Sequence, residues 1–284
     1  MEIIRTVDQL KEQVAAQRAA GRSVGLVPTM GALHDGHISL VERARRENDF
    51  VVVSVFVNPT QFNNETDLMT YPRTEDADCS LLGRAGVDVA FIPEVQEMYP
   101  EPDSRQFDLG EVAAVMEGPM RPGHFNGVAQ VVSKLFMFSQ PTRAYFGEKD
   151  FQQIAVIKRM VEIEGFDIEI VDCPIKRADD GLALSSRNVR LTPSQRAVAP
   201  MIHRIMADSV ADAAGKSVMQ VRQEVIDAVN AVPEMKVEYY EIVHPVTMQP
   251  VVDWNDSPVG CITVYCGDVR LIDNIKYPKQ HESC

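Results

Sequence analysis

Apolar residues recur along this chain with two different periods. Ser23 to Pro28 and Phe50 to Val57 ("FVVVSVFV") are short, nearly continuous apolar runs, while Gly36 to Glu47 between them places Leu40, Val41 and Ala44 on one helical face. Strand, helix and strand in that order predict a βαβ unit, and runs this apolar suit parallel strands covered on both faces, with a right-handed crossover. The alternation continues with an expected helix over 75–84, a strand over 87–92, a helix over 126–138, a strand over 143–146, a helix over 151–162 and a strand over 167–171. The expected fold class is therefore α/β, a doubly wound, Rossmann-like parallel sheet. From Thr192 onward the pattern changes to helices over 193–213 and 217–229, followed by strands near 237–243 and 261–265. Helices followed by an antiparallel hairpin predict a smaller C-terminal α+β domain, so the expected division is 1–175 and 176–284.

The composition narrows the classes of function. The 284 residues carry a net charge of −13, which argues against nucleic acid or anionic membrane as partner, since both require a basic surface. An anionic ligand must then be held by a local basic site. The five cysteines are scattered without a Cys-x-x-Cys pair, which fits a reducing compartment and no structural zinc. The opening "MEIIRTVDQLKEQ" is charged where a signal peptide would be apolar, and no apolar run approaches the ~18 residues of a membrane span. A cytoplasmic location is expected.

Ligands of open parallel sheets bind beyond the carboxyl ends of the strands. Four polar stretches fall there: "PTMGALHDGH", "NPTQF", "GEKD" and "KRADDGLALSSRN". In the first, Gly31 and Gly36 let the backbone approach a ligand, and the opening helix offers free N–H groups to an anion such as phosphate. His34 and His37 add side-chain donors, although a histidine pair here equally suits capping or packing. Lys149 supplies a point charge suited to phosphate. Asp150 and Gln153 fit a capping box and a ligand role alike. In "LSSRN" the residue types suit a solvated loop, or a linker that carries Arg187 over a triphosphate, because "LTPSQ" behind it opens a helix with Thr192, Pro193 and Gln195. "RPGHFNG" reads either as a turn before a helix or as a source of Arg121 and His124 for the crevice. "AAGKS" lacks the first P-loop glycine and lies between helices, so it reads as an interhelical turn.

"PTMGALHDGH", "VNPTQF", "YPRT", "RPGHFNGVAQVV", "YFGEKDFQQ" and "DGLALSSRN" stand in the order and spacing of the pantoate–β-alanine ligase (pantothenate synthetase) family, which the chain closely resembles. "HDGH" also matches the signature of the wider superfamily of adenylate-forming nucleotidyl transferases. The resemblance implies ATP-dependent joining of (R)-pantoate to β-alanine through a pantoyl adenylate, with AMP and pyrophosphate released. It implies ATP contacts from Met30, Gly31, Ala32, Leu33, His34, Asp35, Gly36 and His37, from Gly147, Glu148, Lys149 and Asp150, from the backbone at Lys176, and from Leu184, Ser185, Ser186 and Arg187. It assigns pantoate to Gln61 and Gln153, sets Gln61 beside β-alanine, and puts His34, His37 and Lys149 at the reaction. ATP is expected with Mg2+, whose protein ligands stay unassigned. Asp76 or Asp78 fits that role, and acids in a first helical turn equally serve the helix itself. The family also implies a homodimer. A different nucleotidyl transferase would share "HDGH" without reason for "NPTQF" and "YFGEKDFQQ" together, and a purely regulatory nucleotide-binding module would not require Lys149, Arg187 and both glutamines.

Overall fold

The computed structural model describes residues 1–279. Six parallel strands form the main sheet: β1 (Glu2–Ile4), β2 (Val24–Thr29), β3 (Phe50–Val55), β4 (Val89–Phe91), β5 (Arg143–Gly147) and β6 (Glu169–Cys173), in the order β1-β4-β3-β2-β5-β6. Alternate residues of each central strand feed two cores. Leu26, Val52 and Phe91 pack with Leu10, Phe136 and Ile157 on one face, while Val27, Val51, Val53 and Ala90 pack with Val41, Ala44 and Leu82 on the other. Helices Val7–Ala19, His124–Ser139 and Phe151–Glu164 thus cover one face, and Asp35–Glu47 and Glu75–Arg84 the other. This double cover explains why β3 carries no exposed residue.

The winding direction reverses beside β2. From there the chain builds outward through β3 and β4, then returns to add β5 and β6 on the opposite side. Strands β2 and β5 pair only at Gly25 with Arg143 and Leu26 with Ala144, whereas β2 and β3 pair along all six residues. Beyond Leu26 the two neighbours separate, and a crevice opens at their carboxyl ends.

After β6 the chain forms helices Pro193–Val198, Met201–Ala211 and Val218–Asn230 and an antiparallel sheet in the order β7-β8-β9: β7 (Met235–Val243), β8 (Val259–Cys266) and β9 (Val269–Lys276). Its core, from Leu182 to Tyr277, is separate from those of the parallel sheet. A small fourth cluster joins the two parts, with Met116 set against Val243, Met248, Val259 and Cys261.

Two expectations are corrected, and two elements are added at the N-terminal end. The helix expected over 193–213 is two helices, because Pro200 has no N–H to donate to the Arg196 carbonyl and the hydrogen-bond ladder is interrupted there, although Ala199 and Pro200 both keep helical backbone angles. The expected hairpin is a three-stranded sheet; β9 was masked by Asp273 and Asn274, both buried, the former held bidentate by Arg177 at 2.6 and 2.9 Å. Strand β1 and helix Val7–Ala19 went unread, although Val7, Leu10 and Val14 repeat at helical spacing behind the Thr6 cap. The motif "AAGKS" is an interhelical turn, with Ser217 and Gln220 forming the capping box of the next helix.

Helix His124–Ser139 approaches the Pro59–Gln61 turn through Gly127, where a Cβ would lie 2.3 Å from the Thr60 carbonyl oxygen and 2.8 Å from the Gln61 Cα. Both neighbours are backbone and cannot yield cheaply. Gly127→Ala should destabilise the protein by about 1–3 kcal/mol or more, seen as a lowered thermal midpoint; an unchanged midpoint would contradict this packing.

Candidate active site

A cleft of about 210 Å³, partly open to solvent, lies at the crevice between β2 and β5. All four polar stretches contribute to it. Met30, His34, Gly36 and His37 come from the first, Asn58 and Gln61 from the second, Lys149 and Asp150 with nearby Gln153 from the third, and Lys176 with Leu184 to Arg187 from the fourth. Helix His124–Ser139 closes one side with an apolar wall of Val128, Val131, Val132 and Leu135.

The turn after β2 is held by a carboxylate. Asp78, 1% exposed, accepts the N–H of Ala32 at 2.9 Å and of Leu33 at 2.8 Å, and Thr74 donates to it at 3.2 Å. This stabilises a turn in which Ala32 has φ +49°, a conformation costly for a residue with a Cβ. Asp78 is therefore engaged in shaping the turn. The amides of Ala32 and Leu33 are likewise committed, that of Gly31 donates to Thr29 Oγ1 at 3.2 Å, and none of the three residues lines the cleft. Asp35 is exposed in the first turn of its helix, and Glu148 points away to pair with Lys276 at 2.6 Å. These five positions lie behind or beside the cleft rather than on its surface.

The two histidines cap the helix and face the cleft together. His34 Nδ1 accepts the Gly36 N–H at 3.1 Å, and His37 Nδ1 accepts the His34 N–H at 3.3 Å. Each Nδ1 is an acceptor, so in the neutral ring the proton sits on Nε2, which remains free to donate. The fold-back of His34 requires glycine at 36, where a Cβ would stand 2.7 Å from His34 Cε1. Burial, followed by the Lys149 charge, lowers the His34 pKa to about 4; burial, then His34 and Lys149, lowers that of His37 to about 3. Both rings are neutral donors at neutral pH.

Cations flank the pair. Lys149 Nζ lies 3.2 Å from Asp150 Oδ2, and Asn274 of β9 donates to the Glu148 and Lys149 carbonyls at 2.7 and 3.1 Å. Asp150 makes no side-chain cap, so the capping-box reading of Asp150 and Gln153 is not realised. Arg187 donates to Asp67 Oδ2 at 2.8 Å, and Arg190 to Oδ1 at 3.0 Å. The segment carrying Arg187 is not a loose loop. Arg177 bridges Ala183, Leu184 N–H bonds the Lys176 carbonyl at 3.0 Å, and Ser186 Oγ donates to the Ala32 carbonyl at 3.0 Å. The Gln61 amide is held through both its atoms, Oε1 accepting from Asn58 Nδ2 at 3.2 Å and Nε2 donating to Met30 Sδ at 3.1 Å.

Asn58, Tyr71, Asp67 and the valine wall were not singled out from sequence. Asn58 and Tyr71 lie within "NPTQF" and "YPRT", so their signal was present; the wall reads simply as the apolar side of an amphipathic helix.

Comparisons with known proteins agree with this geometry. The family model described as pantoate-beta-alanine ligase matches residues 2–276. The pantothenate synthetase of Porphyromonas gingivalis is 59% identical over 98% of this chain and 99% of its own length. The crystal structure of pantothenate synthetase from Thermus thermophilus superposes with a TM-score of 0.92 at 48% identity, covering 98% of this chain and 100% of that one. A pantoate-beta-alanine ligase from Francisella tularensis, solved in complex with beta-gamma ATP and beta-alanine, gives 0.80 at 35% identity over 97% of each chain. The chain belongs to the pantoate–β-alanine ligase family.

Proposed function

We propose that this cleft adenylates pantoate and then transfers the acyl group to β-alanine, with its residues dividing the work as their positions dictate. The chain is an ATP-dependent ligase that condenses pantoate with β-alanine to give pantothenate, AMP and pyrophosphate. The observation that carries the site assignment is the meeting of two imidazoles, an ammonium and a guanidinium with two neutral amides in one cleft.

Attack of the pantoate carboxylate on the ATP α-phosphate brings like charges together, and more charge builds on the phosphate oxygens as pyrophosphate leaves. The Nε2–H groups of His34 and His37, with Lys149, stabilise that charge without themselves losing a proton. Arg187 takes the β- and γ-phosphates, exchanging Asp67 for them. Gly36, Gly147, Asp150, Leu184, Ser185, Ser186 and the backbone at Lys176 line the nucleotide, and Met30 borders it. The turn residues Gly31, Ala32 and Leu33 act by shaping this surface, with Asp35 and Glu148 outside it.

Gln61 and Gln153 bind the pantoate hydroxyls and carboxylate as uncharged partners, which orient the nucleophile without quenching it. The valine wall accepts the two methyl groups of pantoate. The β-alanine amine then attacks the acyl carbon beside Gln61. The adenylate is already activated, so positioning suffices and no covalent nucleophile is required. Among the described residues lining the cleft, Asp150 is the one carboxylate, too few for a protein-built metal site. Magnesium therefore fits as part of the ATP complex, held by phosphates with Asp150 at hand.

Residues 1–175 are assigned to the nucleotide- and pantoate-binding unit and 176–284 to a smaller lid unit, a division supported by their separate cores. The homodimeric state is carried over from the family. Cys79, Cys173, Cys261 and Cys266 are all free, which supports a cytoplasmic location, and no helix among the described residues is long and apolar enough to cross a membrane.

Protein mixed with pantoate, magnesium and ATP, without β-alanine, should accumulate pantoyl adenylate, detectable by mass spectrometry. Turnover of another acid with none from pantoate would overturn the substrate assignment. His37→Ala and Lys149→Ala should each slow adenylate formation by ~10²–10³ while circular dichroism stays native; near wild-type rates in either would remove that residue's role.

The depressed histidine pKa values also set a pH dependence. The unfolded chain takes up these protons below about 6.5, whereas folded His34 and His37 stay neutral until about 4 and 3. Their contribution to stability is therefore full above about 6.5 and is lost as pH falls toward the folded values. The thermal midpoint should fall between pH 7 and pH 5, and less steeply in His37→Gln. Equal slopes in the two proteins would show that His37 is not held neutral by the fold.

A further inference from the structure

Arg121 and His124 do not line the main cleft. They border a second, small cavity of about 40 Å³ behind Lys149 and Gln153, walled on its far side by Tyr239 and β9. His124 is buried, with Nε2 3.1 Å from Arg121 Nη1 and Nδ1 2.8 Å from the Gln61 carbonyl oxygen. A guanidinium can only donate, so Nε2 is the acceptor and Nδ1 carries the proton that it gives to Gln61. The Gln61 main chain is thus gripped by this bond and by the close approach of Gly127. Burial, then the Arg121 charge, keeps His124 neutral, as that tautomer requires.

Arg121 leads on to a buried carboxylate. Its Nη1 lies 3.4 Å from Glu117 Oε2, and among the described residues every other partner of the Glu117 carboxylate belongs to the antiparallel sheet. Arg270 donates at 2.9 and 2.6 Å, the Tyr239 hydroxyl at 2.7 Å and Thr263 Oγ1 at 3.3 Å. The backbone is strained at this junction, with Met116 at φ +49° just before Glu117. One unbroken line of polar contacts therefore runs from Arg270 on β9 through Glu117, Arg121 and His124 to the backbone of Gln61.

We propose that His124 is a positioning residue for Gln61, and that Glu117 ties its seat to the antiparallel sheet, so that docking of this sheet sets the organic-acid side of the cleft. The inference rests on the reading that Gln61 holds pantoate. It assigns a task to the Arg121–Gly127 motif distinct from contact with ligand, and gives the C-terminal sheet a second hold on the site besides the bonds of Asn274 to the Lys149 loop.

The test is steady-state kinetics on the full-length enzyme, with folding checked by thermal midpoint. Pantoate-dependent ATP–pyrophosphate exchange by the wild type comes first, since its absence would overturn the functional reading itself. His124→Ala should raise the KM for pantoate about tenfold, the scale of one lost ordering hydrogen bond, while the KM for ATP stays within about twofold. His124→Asn, whose amide nitrogen can replace Nδ1–H, should restore the pantoate KM, whereas His124→Gln, with its amide at the Nε2 position, should not. That Asn–Gln comparison stands even where His124→Ala fails to fold. Equal rises in both KM values, no rise in a folded variant, or equal behaviour of Asn and Gln would overturn the positioning role. Glu117→Gln should raise the pantoate KM less, and combined with His124→Ala should add nothing to it; additive effects would break the link to the sheet.

Discussion

Two neighbouring parallel strands that stay together for only two residue pairs are the constraint on which this structure depends. Because β2 and β5 separate after Leu26 and Ala144, the crevice between them lies where β2 hands over to a helix and β5 to a 3₁₀ turn. The first handover turns two neutral imidazoles, and the second the charged side chains of Lys149 and Asp150, toward one space. The other contributors follow from packing: β3 delivers Asn58 and Gln61 because its own length is buried, and the return from β6 folds as a tight turn that brings Ser186 onto the Ala32 carbonyl.

Legibility in the sequence followed the same physics. Runs such as 50–57, short and β-branched, suit doubly covered parallel strands, and the glycine-histidine corner after β2 is legible as a turn into a helix whose histidines fit capping and a ligand role alike. What escaped were residues whose part is set by partners distant in sequence. Asp78 reads as an ordinary first-turn acid of its helix, and nothing local reveals that it holds the amides of Ala32 and Leu33. Asp273 and Asn274 disguise β9 because their burial is tolerable only with Arg177 and the Lys149 loop in place. At Pro200 the sequence carries both signals, a residue without an N–H and an apolar period that continues across it.

Electrostatics in this acidic protein is local. The net charge of −13 would repel a triphosphate at long range, so affinity must come from groups at contact distance in a partly dehydrated cleft, where each counts for more. Acidic side chains take part in that arrangement from behind. Asp78 holds the backbone of the histidine turn, Asp67 holds Arg187 and Arg190 in place, and Glu117 anchors the sheet to the Gln61 side. Of these only Asp67 is paired with a cation that lines the cleft, so on the proposed reading a phosphate at Arg187 would exchange one anion for another and leave no desolvated guanidinium unpaired.

The histidine pair shows why structural and chemical readings of a residue need not compete. Capping uses Nδ1 of each ring, and a ring committed through Nδ1 has one tautomer and one orientation, leaving Nε2–H directed at the cleft. Had the rings been free, each would sample two tautomers and a protonated form near neutral pH, and donation to the phosphate would depend on conditions. If these rings donate to phosphate as proposed, the capping interaction, by itself a modest gain for the helix, also preorganises the site, because a donor fixed before substrate arrives need not be reorganised as charge develops. The same logic, with the ring nitrogens exchanged, applies at His124: there Arg121 occupies Nε2 and the proton is forced onto Nδ1, toward the main chain rather than the ligand. On the proposed readings, three neutral histidines would serve two tasks, distinguished by which nitrogen the fold has already used.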